Sequence, residues 1–276
     1  MKLIADSGST KTDWAIIDKK GERQFIKTKG LNPYFVKAED FLHVLNEEIK
    51  PKTDIVREIH FYGSGCGTPQ KKAEVEKLLG SVFPGAALFV NSDLFGAARA
   101  LCQIEKGIAC ILGTGSNACI YNGEEIVDEA VSLGFILGDE GSGAHLGKQL
   151  LTAYLYNELP DDLHEKFIKE YDIDRATILE NIYRKPYPSR YLAGFANFLA
   201  QNKSHKYVSN LVSESFDLFL TRHVESLYNY NEFKINFVGS LAFIFESILK
   251  RKVEQRGLEL GEIMNKPIDG LVNYHK

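Results

Sequence analysis

Residues 6–12 read Asp-Ser-Gly-Ser-Thr-Lys-Thr, and residues 113–117 read Gly-Thr-Gly-Ser-Asn. Apolar runs flank both stretches: residues 3–5 and 14–17 around the first, and residues 108–112 and 118–121 around the second. Turns of glycine and small hydroxyl residues expose backbone N–H groups, so they can wrap an anion such as phosphate. Taken alone, each turn also fits an ordinary β-hairpin. The pair, with an acidic residue ending the first strand, favours two half-sites that hold one polyphosphate.

The composition is that of a soluble globular protein. The 276 residues suffice for two domains, with 44% hydrophobic and 25% charged residues. A net charge of −4 gives no reason to expect nucleic acid or an anionic membrane as a partner. The apolar run before Asp6 is too short for a signal peptide. We therefore expect a cytoplasmic protein.

The cysteines show neither a redox nor a metal-binding pattern. No CxxC pair and no interleaved histidine occurs among the four of them, which are Cys66, Cys102, Cys110 and Cys119. Two stand in strand-like apolar runs, as small buried hydrophobic residues do. A reducing compartment follows from this pattern.

Both halves of the chain begin with the same order of elements: strand, glycine-rich turn, strand, Gly-containing turn, strand. In the first half, helices are predicted at 38–49, 69–79 and 94–104, with Gly80 ending the second, and strands at 59–62 and 86–90. Strand–helix alternation predicts a layered α/β domain with parallel pairing. The second half is predicted to be helical from about 143 to 230, with a strand at 234–238 and an amphipathic helix to about 256.

These motifs together resemble a known superfamily. Asp-x-Gly-x-Thr-Lys-Thr after the first strand, Gly-Thr-Gly-Ser-Asn after a second and Val-Gly-Ser at 238–240 resemble the actin/sugar-kinase/heat-shock-chaperone ATPases. Asn-Ser-Asp at 91–93 and Gly-Asp-Glu-Gly-Ser-Gly at 138–143 are similar to the N-acetylglucosamine kinase-like branch, among the BadF/BadG/BcrA/BcrD-type ATPases. The resemblance covers essentially the whole chain.

The resemblance implies an α/β fold of two ribonuclease-H-like (actin-like ATPase) domains with ATP in an interdomain cleft. The first domain would span 1–106, completed by a C-terminal helix at 262–276. The second would span 107–261, with a helical insertion at about 143–231. Since related kinases are often dimers, a homodimer is a further expectation.

By this resemblance, the two turns hold the β- and γ-phosphates of ATP, and Gly239 and Ser240 lie against the adenosine. Many relatives carry a second glycine where this chain has Ser240, which leaves the nucleotide base open. Because no G-x-x-x-x-G-K-[ST] loop is present, Lys11 is not expected to be a phosphate-reading lysine. The expected ATP and phosphate ligands are Ser7, Gly8, Ser9, Thr10, Lys11, Thr12, Gly113, Thr114, Gly115, Gly239 and Ser240.

Two aspartates are candidates for the chemistry. Asp93 follows a buried strand and starts a helix, and ligand crevices form at that edge of an α/β sheet. The helix N-terminus favours its ionised form, so it would accept a proton from a sugar hydroxyl, and the resemblance places the catalytic base here. An ordinary N-cap is the alternative. Asp6, beside the first turn, would hold Mg²⁺ through water, or would simply be a solvated strand end.

The acceptor pocket is assigned by resemblance. Asn32 would bind a sugar hydroxyl or only open a turn, Asp139 would bind sugar or form an Asx-turn, and Ser116 and Asn117 would contact sugar or phosphate. The expected sugar-binding residues are Asn32, Ser64, Asp93, Ser116, Asn117 and Asp139. The expected function is an ATP-dependent kinase acting on N-acetylglucosamine or glucosamine, at the 6-hydroxyl.

Two other functions fit the same fold. One is an ATPase that activates a reductase or dehydratase of CoA esters. Such activators hold an iron–sulfur cluster between subunits through exposed cysteines, and the 138–143 loop carries none. The other is a nucleotide-driven conformational switch, which would hydrolyse ATP slowly with no acceleration by sugar.

Overall fold

A computed structural model describes all residues, Met1–Lys276, and the chain divides into two units. Unit 1 comprises residues 1–105, 121–126 and 266–276, and unit 2 comprises residues 106–120 and 127–265. Two mixed five-stranded sheets with helices make up the fold, so the predicted α/β class is confirmed.

Unit 1 is built on a sheet of strand order β3-β2-β1-β4-β5. The strands are β1 (Lys2–Ser7), β2 (Lys11–Ile17), β3 (Arg23–Lys29), β4 (Glu58–Gly63) and β5 (Ala87–Ser92). β2 runs antiparallel to both β1 and β3, whereas β1, β4 and β5 are parallel. Three consecutive residues of β1, residues 3–5, are fully buried, which is typical of a strand covered on both faces.

The parallel strands of unit 1 end in one row. Ser7 of β1 pairs with Gly63 of β4, and Gly63 pairs with Ser92 of β5. The segments that follow these three residues therefore leave the sheet at the same edge, where α/β proteins form ligand crevices.

The helices of unit 1 follow the predicted pattern with two corrections. α2 passes through Gly80 because a helix interior tolerates glycine at a cost of about 1 kcal/mol, and the last turn buries Val82. The segment predicted as one helix at 38–49 is α1 followed by a π-helical stretch, Val44–Ile49. The bounds are α1 (Ala38–His43), α2 (Pro69–Val82), α3 (Asp93–Cys102) and α13 (Pro267–Tyr274), with a 3₁₀ turn at Lys50–Lys52.

The helix predicted at 262–276 is wrong at its start. Residues Leu260–Met264 form strand β10, which pairs in parallel with β9 (Ile235–Val238) in the sheet of unit 2. Only α13 of that segment is helical, and it packs on α3, where Gly270 lies so close that a Cβ would meet the Ala100 carbonyl oxygen at 2.4 Å. β10 forms because it pairs with β9, which is distant in sequence, so the local pattern of residues alone cannot predict it.

The sheet of unit 2 has the order β10-β9-β6-β7-β8. Its remaining strands are β6 (Gly107–Leu112), β7 (Ser116–Tyr121) and β8 (Ile126–Glu129). β9 is parallel to both β6 and β10. The predicted order of strand, turn and strand around residues 113–117 is therefore confirmed.

The predicted helical stretch after residue 143 is also confirmed. Apolar faces of these helices form the larger core with the inner side chains of β6 and β9. The segment after β9 is two helices rather than one, because buried Phe245 has non-helical backbone angles. The bounds are α4 (Gly134–Leu137), α5 (Gly143–Leu155), α6 (Asp161–Tyr171), α7 (Arg175–Tyr183), α8 (Pro188–Gly194), α9 (Ala196–Gln201), α10 (Lys206–Phe219), α11 (Ser240–Ile244) and α12 (Glu246–Gln255).

Two further segments complete the helical layer of unit 2. A π-helical stretch, Leu220–Val224, continues α10, and a 3₁₀ turn occupies Tyr230–Glu232.

Across the chain, no helix has both the length and the apolar character that crossing a membrane requires. All four cysteines are free thiols and buried, as expected.

Candidate active site

The first glycine-rich turn is held by a dense set of internal hydrogen bonds. Gly8 N donates to the Lys11 carbonyl over 2.9 Å, and the Ser7 and Thr12 hydroxyls bond to each other over 2.8 Å. Ser7 Oγ also accepts from Leu31 N over 3.1 Å. The buried hydroxyls of Ser7 and Thr12 thus shape the turn, whereas Thr10 is exposed at its tip.

Gly30 fixes the turn from behind. Its N–H donates to the Thr10 carbonyl over 3.1 Å, and a Cβ at this position would lie 2.4 Å from the Gly8 carbonyl oxygen. Only a residue without a side chain permits this approach. The conformation of the turn therefore depends on a glycine that follows β3.

Lys11 has a carboxylate partner. Its Nζ lies 2.9 Å from Oδ2 of Asp13, a buried residue on β2 that also faces Lys266 Nζ at 3.8 Å. The Lys11 ammonium thus lies on a carboxylate two residues further along β2.

Asp6 stands where its negative charge is unfavourable. Burial, and then the charges of Asp93 and Asp13, raise the pKa of its carboxyl to about 7, while the Lys11 charge opposes them. Asp93 and Asp13 thus both lie near enough to Asp6, at the end of β1, to interact with it. The setting differs from the solvated strand end that the sequence left open.

Asp93 is the first residue of α3 and is not its N-cap. The cap is Ser92, whose Oγ accepts from Phe95 N over 3.2 Å, so the N-cap alternative for Asp93 is wrong. Asp93 Oδ1 accepts from Leu94 N over 3.0 Å. Burial, and then the Asp93 charge, raise the pKa of the Cys66 thiol to about 12. Asp93 therefore lies beside the loop that follows β4.

Asn32 links the first turn to that loop. Its Nδ2 donates to Ser9 Oγ over 3.2 Å and to Ser64 Oγ over 3.3 Å, while its Oδ1 accepts from Tyr34 N. Asn32 therefore both opens a turn and joins two other predicted ligands. At Gly65, with φ +84°, a Cβ would lie 2.5 Å from Asn32 Oδ1, so this loop also requires glycine.

In unit 2, the second glycine-rich turn is tied to the start of α5. Gly113 N donates to the Gly115 carbonyl over 3.0 Å. The Gly113 and Thr114 carbonyls accept from Gly143 N over 2.8 Å and from Ala144 N over 3.1 Å. The turn and the Gly-rich loop at 138–143 are thus two parts of one structure.

Asp139 lies against this turn with a left-handed backbone, φ +55°. Its Oδ1 accepts from Ser116 N over 3.4 Å, and a Cβ on Gly115 would lie 3.0 Å from its Oδ2. The side chain is thus bonded across 23 residues, unlike the local Asx-turn alternative. Burial raises the pKa of Asp139, partly offset by the Ser116 amide.

Three residues beside Asp139 were not singled out from the sequence. Glu140 is buried and bonds to Arg222 Nη1 and, over 3.0 Å, to His223 Nε2. Its carbonyl accepts from Ser116 Oγ over 2.7 Å. Although burial raises it, these partners hold the pKa of Glu140 below its usual range. The Gly-Asp-Glu-Gly motif draws attention to Glu140 in the sequence. Its partners could not be predicted in the same way, because they lie about eighty residues further along the chain.

The remaining predicted ligands divide into two groups. Gly239, with φ +127°, lies beside the second turn, where a Cβ would be 2.2 Å from the Leu112 carbonyl oxygen, and Ser240 starts α11 behind it. Asn117 is bonded elsewhere: its Nδ2 donates to Glu129 Oε1 on β8 over 3.0 Å. No cluster of three or more histidine, cysteine, aspartate or glutamate side chains is arranged to hold a metal ion.

Comparison with known proteins identifies the family. The sequence model of the BadF/BadG/BcrA/BcrD ATPase family matches residues 5–256. The chain belongs to the BadF/BadG/BcrA/BcrD ATPase family. For this BadF/BadG-type chain, membership implies ATP use, as the resemblance predicted. Among curated proteins, none matches it in sequence.

Solved structures agree with the family. A candidate N-acetylglucosamine kinase from Porphyromonas gingivalis is 44% identical, with a TM-score of 0.94, over 100% of this chain and 98% of that one. Another from Chromobacterium violaceum is 18% identical, with a TM-score of 0.77 and coverage of 100% and 98%. A candidate N-acetylmannosamine kinase from Listeria monocytogenes is 15% identical, with a TM-score of 0.56 and coverage of 99% and 97%. The last two show a shared fold.

Proposed function

We propose that this BadF/BadG-type protein is an ATP-dependent kinase that transfers the γ-phosphoryl group to an amino sugar. N-acetylglucosamine or glucosamine is the acceptor, and the 6-hydroxyl is the site of transfer. The observation that carries the proposal is the row Ser7–Gly63–Ser92, after which the first turn, the Ser64 loop and Asp93 leave the sheet at one edge. The name of the 44% identical relative supports the choice of sugar.

In the proposed reaction, Asp93 accepts the proton of the sugar hydroxyl. The hydroxyl oxygen forms a bond to the γ-phosphorus while the bond from that phosphorus to the β,γ-bridging oxygen breaks, and ADP leaves. A carboxylate at the first position of α3 is favoured in its ionised form by the helix N-terminus. Ser92, and not Asp93, is the N-cap of the helix.

Each unit carries proposed ligands of its own. In unit 1 these are the amides of the turn at 7–12 for phosphate, and Ser64 and Asn32 for sugar. In unit 2 they are the amides of the turn at 113–115 for phosphate, and Gly239 and Ser240 for the adenosine. Asp139 and Ser116 are the proposed sugar ligands of unit 2. Asn117 is the least supported of the proposed sugar ligands, because its side chain bonds to Glu129 on β8. The buried hydroxyls of Ser7 and Thr12 act by shaping their turn.

The proposal includes a magnesium ion near the acidic end of β1. Carboxylate oxygens are the ligands that magnesium prefers, and a cation there would relieve the repulsion from Asp93 and Asp13, which adds to burial in raising the pKa of Asp6 to about 7. In our proposal Asp6 holds it through water, and the bound ion neutralises charge on the phosphates. We extend the proposal to a cytoplasmic enzyme that acts on a free sugar, with a homodimer as its assembly.

The test is ADP release measured with N-acetylglucosamine, glucosamine, N-acetylmannosamine and glucose, for wild type, Asp93→Asn and Asp161→Asn. Asp161 is also the first residue of a helix, α6, and serves as the matched control. We expect an amino-sugar-dependent rate that falls by about a thousandfold in Asp93→Asn, with ATP still bound, and stays unchanged in Asp161→Asn. ATP hydrolysis that no sugar accelerates would refute the kinase assignment, and an active Asp93→Asn would refute the base.

The structure also bears on the activator alternative. An iron–sulfur cluster shared by two subunits needs accessible thiols, whereas all four cysteines here are buried. The burial of these thiols therefore favours the kinase proposal over the activator alternative.

A further inference from the structure

The loop at 138–143 has a left-handed backbone conformation on both sides of Glu140. Asp139 has φ +55° and Gly141 has φ +78°. At Gly141 a Cβ would lie 3.0 Å from Leu112 and Phe219 side-chain atoms. A non-glycine residue in the left-handed region persists when its surroundings determine it strongly. The contacts of the neighbouring residues therefore hold Asp139 in this conformation.

Glu140 is fastened to the helical layer. Its side chain is 5% exposed, with Oε1 bonded to Arg222 and Oε2 3.0 Å from His223 Nε2. Both partners lie in the π-helical stretch Leu220–Val224. His223 stacks on Phe219 at 5.0 Å, and its Nε2 donates to Glu140 Oε2, because an ionised carboxylate can only accept.

The same loop is fastened to the residues proposed to bind the sugar. Ser116 Oγ donates to the Glu140 carbonyl over 2.7 Å, and Ser116 N donates to Asp139 Oδ1 over 3.4 Å. Gly141 N donates to Ser215 Oγ over 3.0 Å, and that oxygen is 2.8 Å from His145 Nδ1. Glu140 thus joins the π-helical stretch to the acceptor residues through covalent neighbours and one hydrogen bond.

We propose that Arg222, His223 and Glu140 form a positioning clamp that sets the Asp139 carboxylate and Ser116 for the acceptor sugar. In this proposal the clamp, defined as these three side chains, acts on the sugar through Asp139 and Ser116. It rests on the proposed function for the identity of the sugar. The nucleotide turn bonds to the Gly143 and Ala144 amides, three and four residues beyond Glu140, whereas Asp139 and Ser116 bond to Glu140's immediate neighbourhood, so we expect the clamp to affect sugar binding more than ATP binding.

The variants are Arg222→Met, Glu140→Gln and Arg222→Lys, with Lys234→Met as the control. Arg222 and Lys234 side chains are 58% and 61% exposed and each pairs with one glutamate, so both methionine variants are expected to fold. We expect Arg222→Met and Glu140→Gln to raise the KM and Kd for the sugar about tenfold, with the KM for ATP within about twofold. Arg222→Lys should recover part of the loss, and Lys234→Met should change neither constant.

An unchanged sugar KM in Arg222→Met overturns the clamp. An equal rise in the KM for ATP does so too, because it indicates general loosening of unit 2. If wild type phosphorylates no sugar, the proposed function fails, and hydrogen exchange of amides 138–143 decides about the clamp. Exchange there must then be faster in Arg222→Met and unchanged in Lys234→Met, and equal exchange in both overturns the clamp.

Discussion

At the scale of single residues, Asp6 joins stability to the proposed chemistry. Its folded carboxyl keeps a proton up to about pH 7, whereas an unfolded aspartate loses it near pH 3.8. Folding therefore takes up a proton within this window, and the free energy of unfolding falls as the pH rises through it. The repulsion among Asp6, Asp13 and Asp93 that destabilises the folded protein is also what a cation would relieve.

Asp6→Asn should therefore stabilise the protein and inactivate it. At pH 7, without nucleotide or divalent cation, we expect the free energy of unfolding to rise by about 2 kcal/mol. Urea denaturation at several pH values measures this, and the difference from wild type should vanish below about pH 4. A variant less stable than wild type at pH 7 would show that Asp6 is held by favourable contacts instead.

At the scale of elements, alanine is expected to have opposite effects on stability at two glycines, Gly80 and Gly30. Gly80 lies inside α2, and an added Cβ would meet Leu88 at an ordinary 3.5 Å. Alanine at this position restricts the unfolded chain and favours the helix. Gly80→Ala should raise the free energy of unfolding by about 0.5–1 kcal/mol, measured by urea denaturation, with no change in activity. A loss of stability would mean that α2 does not continue through residue 80 in solution.

Gly30 has no such room, because its Cβ would meet backbone atoms of Gly8 and Ser9 within 2.6 Å. Gly30→Ala should displace the first turn, lower the affinity for ATP about tenfold and destabilise unit 1 by about 1–3 kcal/mol. Gly67→Ala is the matched control, since nothing lies within 4 Å of its Cβ. Calorimetric titration with a non-hydrolysable ATP analogue measures the affinity, and equal affinities in the two variants would contradict the role of Gly30.

Local signals in the sequence predicted most elements of both units. Some elements are determined by residues adjacent in sequence. Examples are the Gly-Ser-Thr turns, the start of α2 at Thr68 and Pro69, and the apolar runs of β1 and β6. Elements decided by distant partners were missed: β10 depends on β9, and the clamp on Glu140 depends on a π-helical stretch about eighty residues away. The sequence offered Asp93 as an N-cap of α3, whereas the geometry gives that role to Ser92, a residue type that caps equally well.

At the scale of the whole molecule, unit 1 is assembled from both ends of the sequence, and its closure depends on buried neutral histidines. His275 Nε2 lies 2.8 Å from the Tyr62 hydroxyl, and its ring is 3.8 Å from that of His60. Burial, then His60, Arg99 and Lys2, lower the pKa of His275 to about 3, and burial also lowers the pKa of His60.

Acid should therefore weaken unit 1. Because folded His275 binds fewer protons than the unfolded residue between pH 6.5 and about 3, the free energy of unfolding falls as the pH drops through this window. His275→Gln should reduce the loss between pH 7.5 and 5 by about 1–2 kcal/mol relative to wild type. His43→Gln, at an exposed position of the same unit, is the control, and identical slopes in the two variants would exclude His275 as the source.

The return of residues 266–276 to unit 1 has a consequence for biosynthesis. α13 leaves the ribosome after every residue of unit 2, yet it covers α3, which was translated long before. Unit 1 is therefore completed only after unit 2 has been synthesised, whereas domains commonly fold in the order of their synthesis. Until α13 has been synthesised, the helix that begins with Asp93 lacks this cover, so nascent chains expose part of unit 1 to chaperones and proteases.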